Sequence, residues 1–165
     1  MPLLIQLVLV GMVLTAGWTD LRTRKIPNWI PVSGAIAGLV LHAYYVGLSG
    51  LGSSAAGAVL GFAVFLGLHL AGGMGAGDVK LFSAVGALTG PELLVPVFVF
   101  TGLAGGVAAL AVAVFKGRLL ETMRRTARLL MFDTSASSGQ NGERLTLPYG
   151  AVIAFGTLVS LVIIH

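Results

Sequence analysis

Six carboxylate residues occur in the 165-residue chain, and two of them, Asp20 and Asp78, stand where a charge needs a reason. Asp20 closes the apolar run 3–19. Asp78 follows a glycine-rich stretch and precedes the apolar run that begins at Leu81. The other four are explained by their surroundings: Glu92 lies in the break Gly90-Pro91-Glu92, and Glu121, Asp133 and Glu143 lie in a polar stretch where water solvates them. Two carboxylates brought to one depth from separate helices can hydrolyse a peptide bond. One, ionised, activates a water while the other, protonated, polarises the carbonyl, and the roles then exchange. Simpler uses exist. Asp78 can N-cap a helix starting at Val79, and Asp20 can pair with Arg22, Arg24 or Lys25. An acid at a helix C-terminus faces the negative end of the dipole, so Asp20 wants some further partner. Capping also leaves the glycines at 72, 73, 75 and 77 unexplained.

The elements that position these acids follow from composition. Mean hydropathy is +0.97, with 56% hydrophobic and only 10% charged residues, against about 25% charged in soluble domains. The chain reads as an all-α, polytopic membrane protein. It has no cysteine, which excludes disulfides, cysteine-zinc sites and cysteine nucleophiles. Crossings of about 20 apolar residues are expected over 3–19, 29–48 and 51–71, with a last one over 148–164. The apolar stretch 81–115 is expected to cross twice, as 81–90 and 93–115, with a tight outer turn between. Trp29, Tyr44 and Tyr45 suit membrane interfaces.

Charge placement sets the topology. The net charge is +4 and the pI near 10, yet this does not signal a nucleic-acid partner, because every Lys and Arg falls in a gap between apolar runs. Those gaps hold Arg22, Arg24 and Lys25; Lys80; Lys116, Arg118, Arg124, Arg125 and Arg128; and Arg144. Six transmembrane helices with both termini outside put them all in the cytoplasm, as the positive-inside rule requires. A cleaved signal peptide is disfavoured, since the basic residues follow the first apolar run instead of preceding it. The cytoplasmic segment 116–147 is expected to contain a basic amphipathic helix over 118–132, lying on anionic lipids or docking a partner, and then a linker over 133–142. Gly34 and Gly38, Gly57 and Gly61, and Gly102 and Gly106 have the spacing that lets membrane helices pack closely. His42, His69 and His165 have no companion at metal-ligand spacing, so no metal site is expected.

Gly75-Ala76-Gly77-Asp78-Val79-Lys80 resembles the GxGDxK motif of membrane-embedded aspartic peptidases of the prepilin peptidase family. Asp20 followed by a basic segment and Ile26-Pro27-Asn28 is similar to that family's first aspartate motif. Leu147-Pro148-Tyr149-Gly150, opening the last helix, resembles a weaker third feature. The resemblance covers nearly the whole chain. It implies that Asp20 and Asp78 are the catalytic pair, that Gly75, Gly77 and Lys80 bind substrate or shape the loop, and that no cofactor is used. It also implies a prepilin substrate, whose short basic leader is removed at the cytoplasmic face of the bacterial inner membrane. Larger members carry a cysteine-paired domain associated with N-methylation. This chain has no cysteine and only a short link over 20–28, so it resembles the peptidase-only branch that processes Flp-type, tight-adherence pilins.

Smaller expectations accompany this one. Lys80 snorkels to the interface or meets an acidic group of the pilin or a lipid phosphate, and Asn28 N-caps the second helix. Two other classes fit six helices with two acids: a small proton-coupled transporter and a secretion-apparatus scaffold. A transporter would place its acids near the bilayer midplane, and a scaffold would tolerate losing both.

Overall fold

The computed structural model describes residues 1–115 and 149–164 of the chain, and every regular element among them is an α-helix. These are α1 (Leu3–Thr23), α2 (Trp29–Leu70), α3 (Ala76–Phe115) and α4 (Tyr149–Ile164). Leu3–Thr23, Trp29–Leu70 and Ala76–Leu110 are long and apolar enough to cross a membrane, and Tyr149–Ile163 is a shorter apolar helix. The expected amphipathic helix over 118–132, the linker over 133–142 and Pro148 lie outside the described residues.

A straight helix of 42 residues, the length of α2, would measure about 63 Å, twice the roughly 30 Å of a bilayer core. Neither α2 nor α3 is straight. Gly47 has φ 72° and ψ −148°, and Gly90 has φ 74° and ψ 172°, a backbone region essentially reserved for glycine. Contacts across each break show that the chain folds back. Gly38 and Ser54 lie on opposite sides of Gly47, yet both meet Ala87. The Ser54 hydroxyl donates to the Ala87 carbonyl at 2.7 Å, and a Cβ on Gly38 would stand 2.7 Å from the same oxygen. A straight helix would separate residues 38 and 54 by about 24 Å. Phe82 and Phe98 flank Gly90, and their ring centroids are 6.2 Å apart. Each long element is thus a helical hairpin. The reversals fall at glycines that can adopt positive φ: Gly47, just before the expected gap at 49–50, and Gly90, within the expected break Gly90-Pro91-Glu92.

Helices gain no hydrophobic drive from packing against one another in lipid, so close van der Waals approach has to hold them. Gly57 and Gly86 face each other so tightly that a Cβ on either would strike the other's carbonyl. Gly61 backs onto the Phe82 carbonyl, and Phe65 stacks on Phe82 with centroids 3.8 Å apart. Gly34 faces Met12 of α1. Gly102 and Gly106, by contrast, have no such neighbour within 4 Å among the described residues. Helix α1 packs on α2 and α4, with Gly17 against Ala154, and the buried core includes Ile5, Leu9 and Val13 of α1, Phe82 and Val85 of α3, and Ile153 of α4.

The chain divides into two compact units, Met1–Ala104 with Pro148–His165, and Gly105–Leu147. Asp20, Asp78 and all their neighbours belong to the first. Of the second, only the end of α3 is described.

Candidate active site

Helix α1 runs past residue 19 to Thr23, so Asp20 lies in its last turn. Arg24, in the left-handed conformation with φ 52°, ends the helix and donates its N–H to the Asp20 carbonyl at 2.8 Å. The Asp20 side chain is 6% exposed, and its Oδ2 accepts the backbone N–H of Gly150 at 2.8 Å. Gly150 is in the first turn of α4, where backbone N–H groups have no partner within their own helix. The unfavourable dipole at the end of α1 is therefore answered by the favourable one at the start of α4. Arg22, one of the expected partners of Asp20, instead lies over the Trp18 ring, 4.7 Å from its centroid.

Helix α3 starts at Ala76, five residues before the expected run at Leu81, which puts Asp78 inside its first turn. Asp78 is 7% exposed. Its Oδ2 accepts the Gly75 N–H at 3.0 Å, while its own N–H donates to the Gly75 carbonyl at 3.1 Å. This is the returning arm of a capping box, in which the third helical residue reaches back to the residue before the helix. Asp78 is not the N-cap of a helix starting at Val79, because the helix has already begun.

The intervening loop is closed at its start by Gly72, φ 78°. The N–H groups of Gly72 and Gly73 donate to the carbonyls of His69 and Leu68 at 2.8 and 3.0 Å, the paired bonds of a Schellman ending. His69 Nδ1 is 2.8 Å from the Met74 carbonyl oxygen. A carbonyl only accepts, so Nδ1 carries the hydrogen.

Several contacts draw the two acids together. Ile26, in the link after α1, lies between the backbone of α3, which carries Asp78, and that of α4, whose Gly150 holds Asp20. A Cβ on Gly77 would stand 3.4 Å from Ile26 Cβ, and one on Gly150 would stand 3.0 Å from Ile26 Cδ1. The Asp78 carboxylate is within electrostatic reach of Asp20 and His69, and Tyr149 is within reach of Asp78. At the rim, Lys80 Nζ donates to Asn28 Oδ1 at 2.9 Å. Asn28 makes no side-chain capping bond to α2, so Lys80 takes the oxygen that capping would have used.

Of the residues singled out in the sequence, Asp20, Asp78, Gly75, Gly77 and Lys80 therefore share one region. Gly150, Ile26 and His69 join them without having been predicted to. Leu147-Pro148-Tyr149-Gly150 marked the place of Gly150 and Ile26-Pro27-Asn28 that of Ile26, but neither motif named a contact, and nothing local to His69 distinguishes it from a packing residue. Among the described residues, no group of three or more His, Asp or Glu side chains is placed to hold a metal ion.

Two buried carboxylates, each accepting a backbone N–H and within electrostatic reach of each other, can activate a water. As the water oxygen attacks a carbonyl carbon, the ionised member of the pair takes its proton and the protonated member gives a proton to the carbonyl oxygen. Collapse of the tetrahedral species breaks the C–N bond: the departing nitrogen takes the proton that came from water, and the hydroxyl proton returns to the other acid as the product carboxyl forms.

Residues 7–110 match the model of the type IV leader peptidase family. The chain is 34% identical over 162 residues to the prepilin leader peptidase/N-methyltransferase of Bacillus subtilis, covering 93% of this chain and 53% of that protein. It is 33% identical over 104 residues to the prepilin peptidase EppA of Methanococcus maripaludis, covering 63% of this chain and 28% of that protein. The chain thus spans about half the length of the first relative and about a quarter of the second. No solved structure matches it. Asp20 and Asp78 both fall within the family match, whereas Gly150 lies beyond its end.

Proposed function

Since the chain belongs to the type IV leader peptidase family, we propose that it is a membrane aspartic endopeptidase with Asp20 and Asp78 as its catalytic pair. Its substrate is a prepilin of type IV or Flp-like kind, and the bond cut lies between the short basic leader and the hydrophobic helix. One observation carries this reading: two buried carboxylates, from α1 and α3, lie within electrostatic reach of each other, and each accepts a backbone N–H. A peptide bond inside a helix is shielded by its hydrogen bonds, so attack suits the segment just outside the substrate's membrane helix. Acids at the ends of helices suit that boundary better than they suit a midplane ion path.

The two hairpins, with α1 and α4, give six crossings in this proposal. Both termini lie outside, and the aspartates lie at the cytoplasmic face of the bacterial inner membrane. Arg22, Arg24, Lys25 and Lys80 then share the side of the anionic leaflet. The reaction ends at hydrolysis. What supports this is that the chain contains no cysteine, whereas the family resemblance associates N-methylation with a cysteine-paired domain.

The test is cleavage of a prepilin-type leader fused to a reporter pilin, in membranes containing this chain. Asp20→Asn and Asp78→Asn should each lower the rate by at least about 10²- to 10⁴-fold, the contribution of a positioned acid or base. Glu92→Gln, at an exposed position, should process normally. Full processing by either aspartate variant would refute the pair.

A further inference from the structure

Met74 and Gly75 share one peptide group. On one side, its carbonyl oxygen accepts His69 Nδ1–H at 2.8 Å. On the other, its N–H donates to Asp78 Oδ2 at 3.0 Å. A peptide group is planar, and in its trans form the C=O and N–H point in opposite directions. Whatever grips the oxygen therefore fixes where the hydrogen points. We propose that His69 is a positioning residue for Asp78, acting through the Met74–Gly75 peptide as a relay from imidazole N–H to carbonyl, and from amide N–H to carboxylate.

Three features make the relay effective. The loop from Gly72 to Gly75 contains three glycines, so Met74, half-buried against the apolar core, is the one residue of the loop with a side chain to pack, and the backbone on either side of it turns freely unless hydrogen-bonded. His69, by contrast, is anchored: its carbonyl accepts the Gly72 N–H at 2.8 Å, and its helix is locked onto α3 through Gly57, Gly61 and Phe65. Lastly, a carbonyl that accepts a hydrogen bond polarises its own N–H, which strengthens the bond that N–H donates. The direction of the Asp78 carboxylate is thereby tied to the end of α2. The relay itself follows from the hydrogen bonds alone; its effect on turnover rests on the peptidase proposal.

The sequence supplies a clean probe. Met74-Gly75 is the one Met-Gly pair in the chain, so labelling methionine with ¹³C at the carbonyl and glycine with ¹⁵N isolates this peptide as a single correlation in a micelle spectrum. His69→Phe keeps a ring but removes the donor. His69→Asn keeps a donor, because the Asn Nδ2 occupies nearly the position of the imidazole Nδ1. In the Phe variant the Met74 carbonyl and Gly75 amide proton signals should both move upfield, and the Asn variant should stay close to the parent. In the cleavage assay, loss of one such bond should lower kcat by roughly 3- to 10-fold with KM unchanged, and Asn should recover most of it.

An unmoved signal in the Phe variant, or an Asn variant displaced as far as Phe, would overturn the relay. A displaced signal with unaltered kcat would overturn its role in positioning Asp78 for catalysis. If the parent chain itself fails to cleave, the peptidase reading falls, and the Met74–Gly75 signal still decides the relay.

Discussion

Replacing Gly150 by alanine tests whether α4 holds Asp20 in place. An added Cβ would lie 2.9 Å from Asp20 Cβ, 3.0 Å from Asp20 Oδ2 and 3.0 Å from Ile26 Cδ1. Comfortable contact between carbon atoms begins near 3.5 Å, so Asp20 must retreat by roughly half an ångström. The Gly150 N–H···Oδ2 bond is 2.8 Å. Lengthened that far, it reaches about 3.3–3.4 Å, beyond the 2.7–3.2 Å range of a sound N–H···O bond. A hydrogen bond to a carboxylate contributes about 1.5–3 kcal/mol, which corresponds to roughly 10- to 100-fold in rate if it positions the carboxylate in the transition state. The assay is leader cleavage by purified protein in vesicles, with thermal unfolding followed in parallel. Gly11→Ala, on the same helix as Asp20 and with no neighbour within 4 Å, should retain parental activity and stability. A Gly150→Ala variant that cleaves within twofold of the parent would refute the reasoning. So would a rate loss that Gly11→Ala shares.

Lys80 and Asn28 should be coupled through their 2.9 Å bond. Either alanine variant should weaken cleavage modestly, and the double variant should cost no more than the worse single one, with a coupling energy of about 0.5–1.5 kcal/mol; strict additivity would show that the bond does not matter. The glycine pairs should separate by packing. Gly57→Val forces a side chain into the Gly86 backbone and should destabilise by about 1–3 kcal/mol or more in a denaturant titration in mixed micelles. Gly102→Val meets open space and should stay within about 0.5 kcal/mol of the parent. Equal losses for the two would contradict the helix packing described here.

Much of this protein is legible in its sequence, for a physical reason. Hydropathy and charge are local and nearly additive, so a chain that is 56% hydrophobic with its basic residues gathered in gaps has little choice but apolar helices and short polar links. The same reasoning isolates Asp20 and Asp78, because a carboxylate at the end of a membrane helix stands out against a background with so few charges. Glycine spacing identifies the stretches that can pack closely or turn. It does not say which of them do: Gly57 and Gly61 are pressed against α3, while Gly102 and Gly106 have the same spacing and no neighbour within 4 Å among the described residues.

Partners separated along the chain belong to the tertiary structure. Asp20 finds Gly150 at a separation of 130 residues, and Asn28 finds Lys80 at 52. No local pattern encodes either, because each depends on how α1, α3 and α4 come together by shape. Asp78 shows the same division within four residues. Its type and place are written in Gly75-Ala76-Gly77-Asp78, yet its task in the fold is set by where α3 begins. Helix α3 starts at Ala76 instead of after Asp78, so the carboxylate reaches back to Gly75 and does not cap its own turn. His69 reads from sequence as one more histidine near a helix end. Only the folded loop, by bringing the Met74 carbonyl to its ring, ties it to the aspartate nine positions later.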